Sequence, residues 1–126
     1  MSENLTEPLA RFAAQLRYED LPAAVVHQAG RFFLDAVGCA IAASREDGRK
    51  ASLARAAADG FAAAGDASVI GGATTTPAVA ALCNGMLVNA TDNDDTHKRA
   101  LAHIGSVVMP AALATVEATK GDGRDL

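Results

Sequence analysis

The sequence predicts an all-α fold, and three features of its composition support that prediction. Half of the 126 residues are hydrophobic, yet only 4% are aromatic and tryptophan is absent. Alanine is abundant along the chain, and it combines the highest helix propensity with a side chain small enough for close packing. β-Branched residues are scattered instead of alternating, which argues against a β-sandwich. The length predicts at most one domain with a modest core.

Two helices are predicted in the first third of the chain. Apolar residues recur at helical spacing over 5–16, and Pro22 then suits the start of a second helix. The broad apolar face of that second helix extends over 25–41. Because Gly30 and Gly38 lower helix propensity there, we expect them to mark a close crossing with another helix.

The middle of the chain predicts two further helices and a connector. A polar loop at 44–50 precedes an alanine-rich helix over 51–64. Residues 67–72 are β-prone and flanked by glycine, which indicates an extended connector rather than a sheet. Pro77 marks the start of a fourth helix over 78–90. The residues predicted to point inward from it are Val79, Leu82, Cys83, Met86 and Leu87.

A polar stretch then separates the fourth helix from a fifth. The fifth helix is predicted to begin near Gly105 or Ser106 and to run to Thr119, with Pro110 inside its first turns. Gly121 and Gly123, which follow this helix, are expected to end it.

Charge and hydropathy exclude several classes of partner. The formal net charge of −4 argues against nucleic acid, whose phosphates would be repelled on average. No apolar run approaches the ~18–20 residues of a membrane span, and the N-terminus lacks the pattern of a signal peptide. Cys39 and Cys83 lie far apart in apolar stretches and are predicted to be reduced core residues. We therefore expect a cytoplasmic protein without a membrane partner.

The residues that could carry chemistry are concentrated between the last two helices. Three carboxylates lie within four residues: Asp92, Asp94 and Asp95. Such carboxylates repel one another unless one is protonated or has a cationic partner. His97 and His103 could move protons near neutral pH. A helix that opens at Gly105 and Ser106 offers free backbone N–H groups, to which a substrate carboxylate could bind.

Two other interpretations of this segment stay open. The aspartates could form a solvated loop and helix-cap cluster, which the spacing alone favours over catalysis. Together with the two histidines they could instead hold a divalent metal, but the spacing matches neither an EF-hand loop nor HExxH, so we predict no metal.

Polar residues outside this segment are expected to be structural. Asp35 lies in an apolar helix, where we expect it to accept hydrogen bonds from a neighbouring helix end. A small basic patch is expected to be solvated surface, and it consists of Arg45, Arg49 and Lys50.

The most specific segments of the chain are PAVAALCNG at 77–85, DNDDTH at 92–97 and HIGSVVMPAA at 103–112. Together they resemble the MmgE/PrpD family, which includes 2-methylcitrate dehydratases, cis-aconitate decarboxylases and an iminodisuccinate epimerase. The stretches at 9–22, 33–38 and 69–71 are similar to that family as well, so the resemblance covers essentially the whole chain.

The resemblance implies a fold and an activity. Members are several times longer, so residues 1–126 are expected to form a truncated, partial helical bundle from which the family's α+β domain is absent. The implied chemistry needs no cofactor and no metal, and it transfers a proton next to a carboxylate of a small di- or tricarboxylate. His103 corresponds to the acid/base candidate, and Asp92 and Thr96 correspond to catalytic positioning residues. The substrate-binding candidates are Asp95, His97, Lys98, Gly105 and Ser106.

The chain departs from the family pattern at three positions. Members usually carry histidine where Asn89 stands, an aromatic residue where Asn93 stands and proline where Ile104 stands. Asn89 cannot exchange protons as an imidazole does, and Asn93 removes apolar packing behind the carboxylates. With the α+β domain absent, we expect this chain alone to be inactive.

The alternative function is that of a non-catalytic module that associates with itself or with another chain. A partial helical domain leaves apolar helix faces uncovered, and such faces normally find a partner. We therefore expect a homo-oligomer, most simply a twofold dimer. The faces concerned carry Phe32, Phe33, Val37 and Ile41 on the second helix, and Val107, Val108 and Leu113 on the fifth.

Overall fold

The computed structural model describes residues 4–46, 48–61 and 63–126, and it confirms the predicted helical fold class. The helices are α1 (Thr6–Gln15), α2 (Ala23–Ser44), α3 (Arg49–Gly60), α4 (Pro77–Val88) and α5 (Gly105–Thr119), with a 3-10 turn at Tyr18–Asp20 and strands β1 (Ala67–Ser68) and β2 (Thr74–Thr75). The predicted bounds differ from these by a few residues. Positions 47 and 62 of the predicted loop and third helix lie outside the described residues.

The glycine-flanked connector folds into a small hairpin. Ala67 pairs with Thr75 and Ser68 pairs with Thr74 in antiparallel register. The chain reverses at Gly71, whose φ of 77° lies in the left-handed region that glycine adopts without strain. The prediction that this segment forms no sheet is therefore wrong, because a positive φ at one glycine lets the two short strands meet.

The core is built from small side chains around α4. Helices α2, α3 and α5 all pack against α4, which carries the largest fully buried side chains: Cys83, Asn84 and Val88. The partners contribute alanines, at positions 36, 40 and 43 on α2, 51 and 54 on α3, and 114 on α5. Leu82 is 51% exposed, so its predicted inward position is wrong. The buried residues of α4 are Ala80, Cys83, Asn84, Leu87 and Val88.

Asn84 ties the hairpin to this core. Its Oδ1 accepts a hydrogen bond from the Ile70 N–H at 2.8 Å, and its Nδ2 donates to the Ser68 carbonyl at 2.8 Å. From α5, Glu117 Oε2 accepts from the Ser68 N–H at 2.7 Å. These bonds satisfy a buried amide and fix the short hairpin against α4 and α5.

The glycines that permit close helix packing are not the predicted ones. A Cβ built at Gly30 or Gly38 would meet no atom within 4 Å in the described part of the chain outside its own helix and neighbours. The expectation of a close crossing there is therefore wrong. A Cβ at Gly85 would lie 2.9 Å from the Ser106 carbonyl oxygen, so the close contact lies between α4 and α5.

Several large apolar side chains lie on the surface. Helix α1 has no buried residue, and Leu9 and Phe12 are more than half exposed. On the faces predicted to be uncovered, Phe32 is 38% exposed and Val107 is 70% exposed, whereas Phe33 is partly buried. No helix in the described part of the chain combines the length and the apolar character needed to cross a membrane.

The glycine contacts give a first testable prediction. We expect Gly30→Ala and Gly38→Ala each to raise the free energy of unfolding by about 0.5–1 kcal/mol, because alanine favours the helix and has free space. Gly85→Ala should lower it by about 1–3 kcal/mol, because the methyl group meets backbone. Urea unfolding followed by circular dichroism measures all three. Equal effects at positions 30 and 85 would contradict this assignment.

Candidate functional site

The segment between α4 and α5 turns sharply at two residues with positive φ. Asp92 has a φ of 60° and Leu101 a φ of 51°. The His97 N–H donates to the Ala102 carbonyl at 2.9 Å in an isolated antiparallel bridge, which closes the turn at Leu101. Non-glycine residues in this region cost of order 1–3 kcal/mol and often lie at functional sites. The turns bring His103 back to the aspartates that precede it.

His103 lies between two carboxylates, and we call Asp92, Asp94 and His103 the Asp–His cluster. The Nε2 of His103 is 3.5 Å from Asp92 Oδ1, and its Nδ1 is 3.1 Å from Asp94 Oδ1. The Asp92 side chain is 76% exposed, whereas that of Asp94 is 0% exposed. Among the described residues, neither His103 Nδ1 nor Asp94 Oδ2 has a hydrogen-bond partner.

Two residues that were not predicted as site residues hold the buried side of the cluster. Asn89 Nδ2 donates to Asp94 Oδ1 at 3.2 Å. Lys50 Nζ donates to the Asn89 carbonyl at 2.6 Å and to its Oδ1 at 2.9 Å. The expectation that Lys50 is merely solvated surface is therefore wrong. Its side chain comes from α3, 39 positions before Asn89, and no local spacing could have shown this contact.

The start of α5 is capped from within the same segment. Asp95 Oδ1 accepts a hydrogen bond from the Gly105 N–H at 2.9 Å, and Ser106 Oγ donates to the His103 carbonyl at 3.0 Å. The Gly105 N–H thus already has an acceptor, contrary to the expectation of a free donor there. A Cβ at Gly105 would overlap the Asp95 carboxylate, so only glycine allows this cap. Asp95 therefore acts at the helix end, as one of the alternative interpretations proposed.

Other predicted site residues lie apart from the cluster, on an exposed part of the segment. His97 is exposed, and its Nδ1 accepts a hydrogen bond from the Ala100 N–H at 3.0 Å. Thr96 and Lys98 are exposed as well, and neither side chain forms a hydrogen bond within 4–46, 48–61 and 63–126. The structure thus brings His103 to Asp92 and Asp94, but it does not bring Thr96, His97 or Lys98 to them by direct bonds.

The cluster also has the composition of a cation site. One carboxylate oxygen from each aspartate and one imidazole nitrogen lie within 4.8 Å of one another, and the described residues form no other such group. Carboxylate and imidazole atoms are ligands that divalent metals accept. The absence of a metal, expected from the spacing, stays a prediction.

Helix α2 contributes Cys39 near the aspartates. Burial raises the pKa of the Cys39 thiol, and the negative charges of Asp35, Asp94 and Asp95 raise it further. Burial also raises the pKa of the Cys83 thiol. Neither cysteine forms a disulfide. Asp35 is exposed and accepts no hydrogen bond from the described residues, so its expected role at a helix end is wrong.

The cluster lies apart from a cavity of about 310 Å³ between α3 and the hairpin. The lining of that cavity includes Ala54, Arg55, Asp59 and Leu87 but no predicted site residue. Among the described residues, its wall carries one carboxylate, that of Asp59, but no histidine, so the chemistry favours the cluster. On its Asp92 side the cluster is open to solvent.

Comparison with known proteins finds matches to one family. The profile of the MmgE/PrpD N-terminal domain matches residues 7–126. The cis-aconitate decarboxylase-like protein oryM of Aspergillus oryzae is 33% identical over 115 residues, which are 90% of this chain and 23% of that protein. The cis-aconitate decarboxylase of Aspergillus terreus is 30% identical over 123 residues, which are 97% of this chain and 25% of that protein. The chain thus spans about a quarter of the length of these relatives. No solved structure matches it significantly.

The cap on α5 gives a second testable prediction. We expect Gly105→Ala and Asp95→Ala each to lower the free energy of unfolding by about 1–2 kcal/mol, because each removes the same bond at the helix N-terminus. The double variant should lose much less than the sum. Urea unfolding of the two single variants and the double variant measures these free energies. Gly123→Ala is the control, because a Cβ there meets open space. Additive losses would show that the two residues act independently.

Proposed function

The chain belongs to the MmgE/PrpD family, and from this premise we propose that its Asp–His cluster is one wall of an active site for proton transfer next to a carboxylate. The observation that carries the proposal is the position of His103, with a carboxylate oxygen at 3.1 Å on one side and at 3.5 Å on the other. A general acid/base must reach its substrate and must be held in orientation. The partly exposed imidazole meets the first need and the buried Asp94 meets the second.

The roles of the cluster residues follow from their burial. His103 gives or takes the proton, and two neighbouring carboxylates stabilise the imidazolium that forms when it takes one. Asp92 is exposed beside Nε2, where it positions substrate. Thr96 is assigned the same role from its match to the family motif. Asp94 lies behind the ring. This is the division of roles that a histidine general base needs.

The proposed substrate is a small di- or tricarboxylate. Two relatives are named for cis-aconitate, a tricarboxylate, and their similarity to this chain supports the same class here. His97, Lys98 and Arg99 lie on the exposed part of the segment and are proposed to meet substrate carboxylates. Asp95, Gly105 and Ser106 are proposed to shape the binding wall from the helix start. No cofactor or metal is needed for this chemistry.

The chain alone is proposed not to turn substrate over. Proton transfer requires the acid, the base and the carboxylate clamps to be held together in one cleft. The described residues supply an open wall, and we propose that residues 1–126 form only part of the family's helical domain. We also propose a cytoplasmic location, which the free cysteines support because reduced thiols suit a reducing compartment.

Binding and turnover assays test the proposed site. We expect cis-aconitate to perturb the NMR signals of His103 and Asp92 with a dissociation constant of about 1 mM, worth roughly 4 kcal/mol. His103→Gln should weaken binding about tenfold, because it removes a charge-assisted bond. His27→Gln, at an exposed histidine on α2, is the matched control. Binding should be unchanged by a chelator, and no turnover of cis-aconitate, 2-methylcitrate or iminodisuccinate is expected.

Three outcomes of these assays would contradict the proposal. Equal effects of His27→Gln and His103→Gln would remove the cluster from the binding site. Binding lost on chelation and restored by one divalent ion would replace proton transfer by a metal-dependent role. Turnover that His103→Ala abolishes would show that the chain is active alone.

A second proposal, self-association, rests on the exposed apolar faces. Phe32 and Ile41 on α2 and Val107 and Val108 on α5 are each more than a third exposed, and α1 adds Leu9. Burial of such a face stabilises by about 25 cal/mol per Å², which can offset the cost of association. We propose a second copy of this chain as the occupant, in a twofold dimer; pairing with a different chain is the other possible outcome.

Sedimentation at micromolar concentration tests this association. We expect a dimer that Val107→Lys converts to a monomer, because the charge would be buried in the interface whereas the isolated chain tolerates it at a 70% exposed position. Ala56→Lys, at an exposed position on α3, is the control and should leave the dimer intact. A single monomeric species with cooperative unfolding would rule the dimer out.

A further inference from the structure

Lys50 connects the first turn of α3 to the last turn of α4. Its Nζ donates to the Asn89 carbonyl oxygen at 2.6 Å and to Asn89 Oδ1 at 2.9 Å. The carbonyl belongs to the C-cap of α4, where the negative end of the helix dipole favours a cation. A lysine bound in this way contacts both the backbone and the side chain of a single residue.

The ammonium group fixes the orientation of the Asn89 side chain. Lysine has three donors and no acceptor, so the amide oxygen must face Nζ and the NH₂ group must face away from it. In that orientation Nδ2 donates to Asp94 Oδ1 at 3.2 Å. An ionised carboxylate only accepts and an ammonium only donates, so a single orientation of the Asn89 amide forms both bonds.

Asp94 in turn lies against His103. Its side chain is 0% exposed, and among the described residues Asn89 supplies the hydrogen bond that its Oδ1 accepts. The same oxygen is 3.1 Å from His103 Nδ1. The other ring nitrogen, Nε2, is 3.5 Å from the exposed carboxylate of Asp92. Because the carboxylate at Nδ1 is both closer and buried, its electrostatic attraction is stronger and favours the tautomer with the proton on Nδ1, which leaves the Nε2 lone pair on the side of Asp92.

We infer that Lys50 is a positioning residue: through Asn89 it orients Asp94, and Asp94 selects the His103 tautomer that has its lone pair at Nε2. The inference rests on the proposed function, because that tautomer is the form in which His103 accepts a proton on its exposed side.

The tautomer of His103 can be measured by long-range ¹H–¹⁵N NMR at a pH where the imidazole is neutral. In the unmodified chain we expect the Nδ1–H form to dominate. In Lys50→Met, which keeps the aliphatic stem, the Nδ1–H form should become the minor one. Lys50→Arg should keep the Nδ1–H form dominant, because a guanidinium, like an ammonium, donates hydrogen bonds and accepts none. Arg49→Met, the neighbouring cation on α3, is the control and should match the unmodified chain.

Two results would overturn the inference. One is an equal fraction of the Nδ1–H tautomer of His103 in Lys50→Met and in the unmodified chain. The other is a dominant Nε2–H tautomer in the unmodified chain. If a melting curve shows Lys50→Met to be unfolded, Lys50→Gln replaces it. Its amide can accept as well as donate, so it no longer fixes Asn89, and the same loss of the Nδ1–H form is expected.

This readout separates the inference from the proposed function, because it needs neither substrate nor turnover. An unchanged spectrum in the Lys50 variants overturns the role of Lys50 whatever cis-aconitate does. The expected spectra without any binding of cis-aconitate at His103 would support the role of Lys50 and overturn the proposed function alone.

Discussion

The close approach of α4 and α5 is the constraint on which the rest of the structure depends. It is possible because Gly85 has no side chain where the Ser106 carbonyl comes near, at 2.9 Å from the place of a Cβ. The end of α4 carries Asn89 and the start of α5 follows His103, so the same approach brings the two halves of the candidate site together. A bulkier residue at position 85 would separate the helix ends as well as loosen the core.

Three carboxylates close together in sequence would repel one another, and the fold separates their environments. Asp92 remains in solvent, and Asp95 accepts from the N-terminus of α5 at Gly105. Asp94 is buried, where it accepts from Asn89, whose amide is in turn held by Lys50. Each carboxylate thus has a different source of stabilisation. His103 can therefore lie between Asp92 and Asp94 because solvent stabilises the first carboxylate and a hydrogen bond stabilises the second.

The open side of the cluster and the uncovered helix faces have a common physical origin. The core consists mostly of alanine around α4, so it buries little area per helix, and the large apolar residues Phe12 and Val107 lie outside it. Such a surface favours contact with further protein, whether a second copy or another chain. A cleft that excludes water requires such contacts too, because Asp92 is 76% exposed in the chain by itself.

The helices could be predicted from the sequence, because apolar spacing, Pro77 at a helix start and high alanine content are all local signals. The sequence also predicted a candidate site at 92–106, since the acids and histidines are close together along the chain. It could not show that the short hairpin forms, that Gly85 rather than Gly30 allows close packing, or that Lys50 reaches the site. Those facts depend on contacts between residues far apart in sequence, and only the tertiary packing of α3, α4 and α5 decides them.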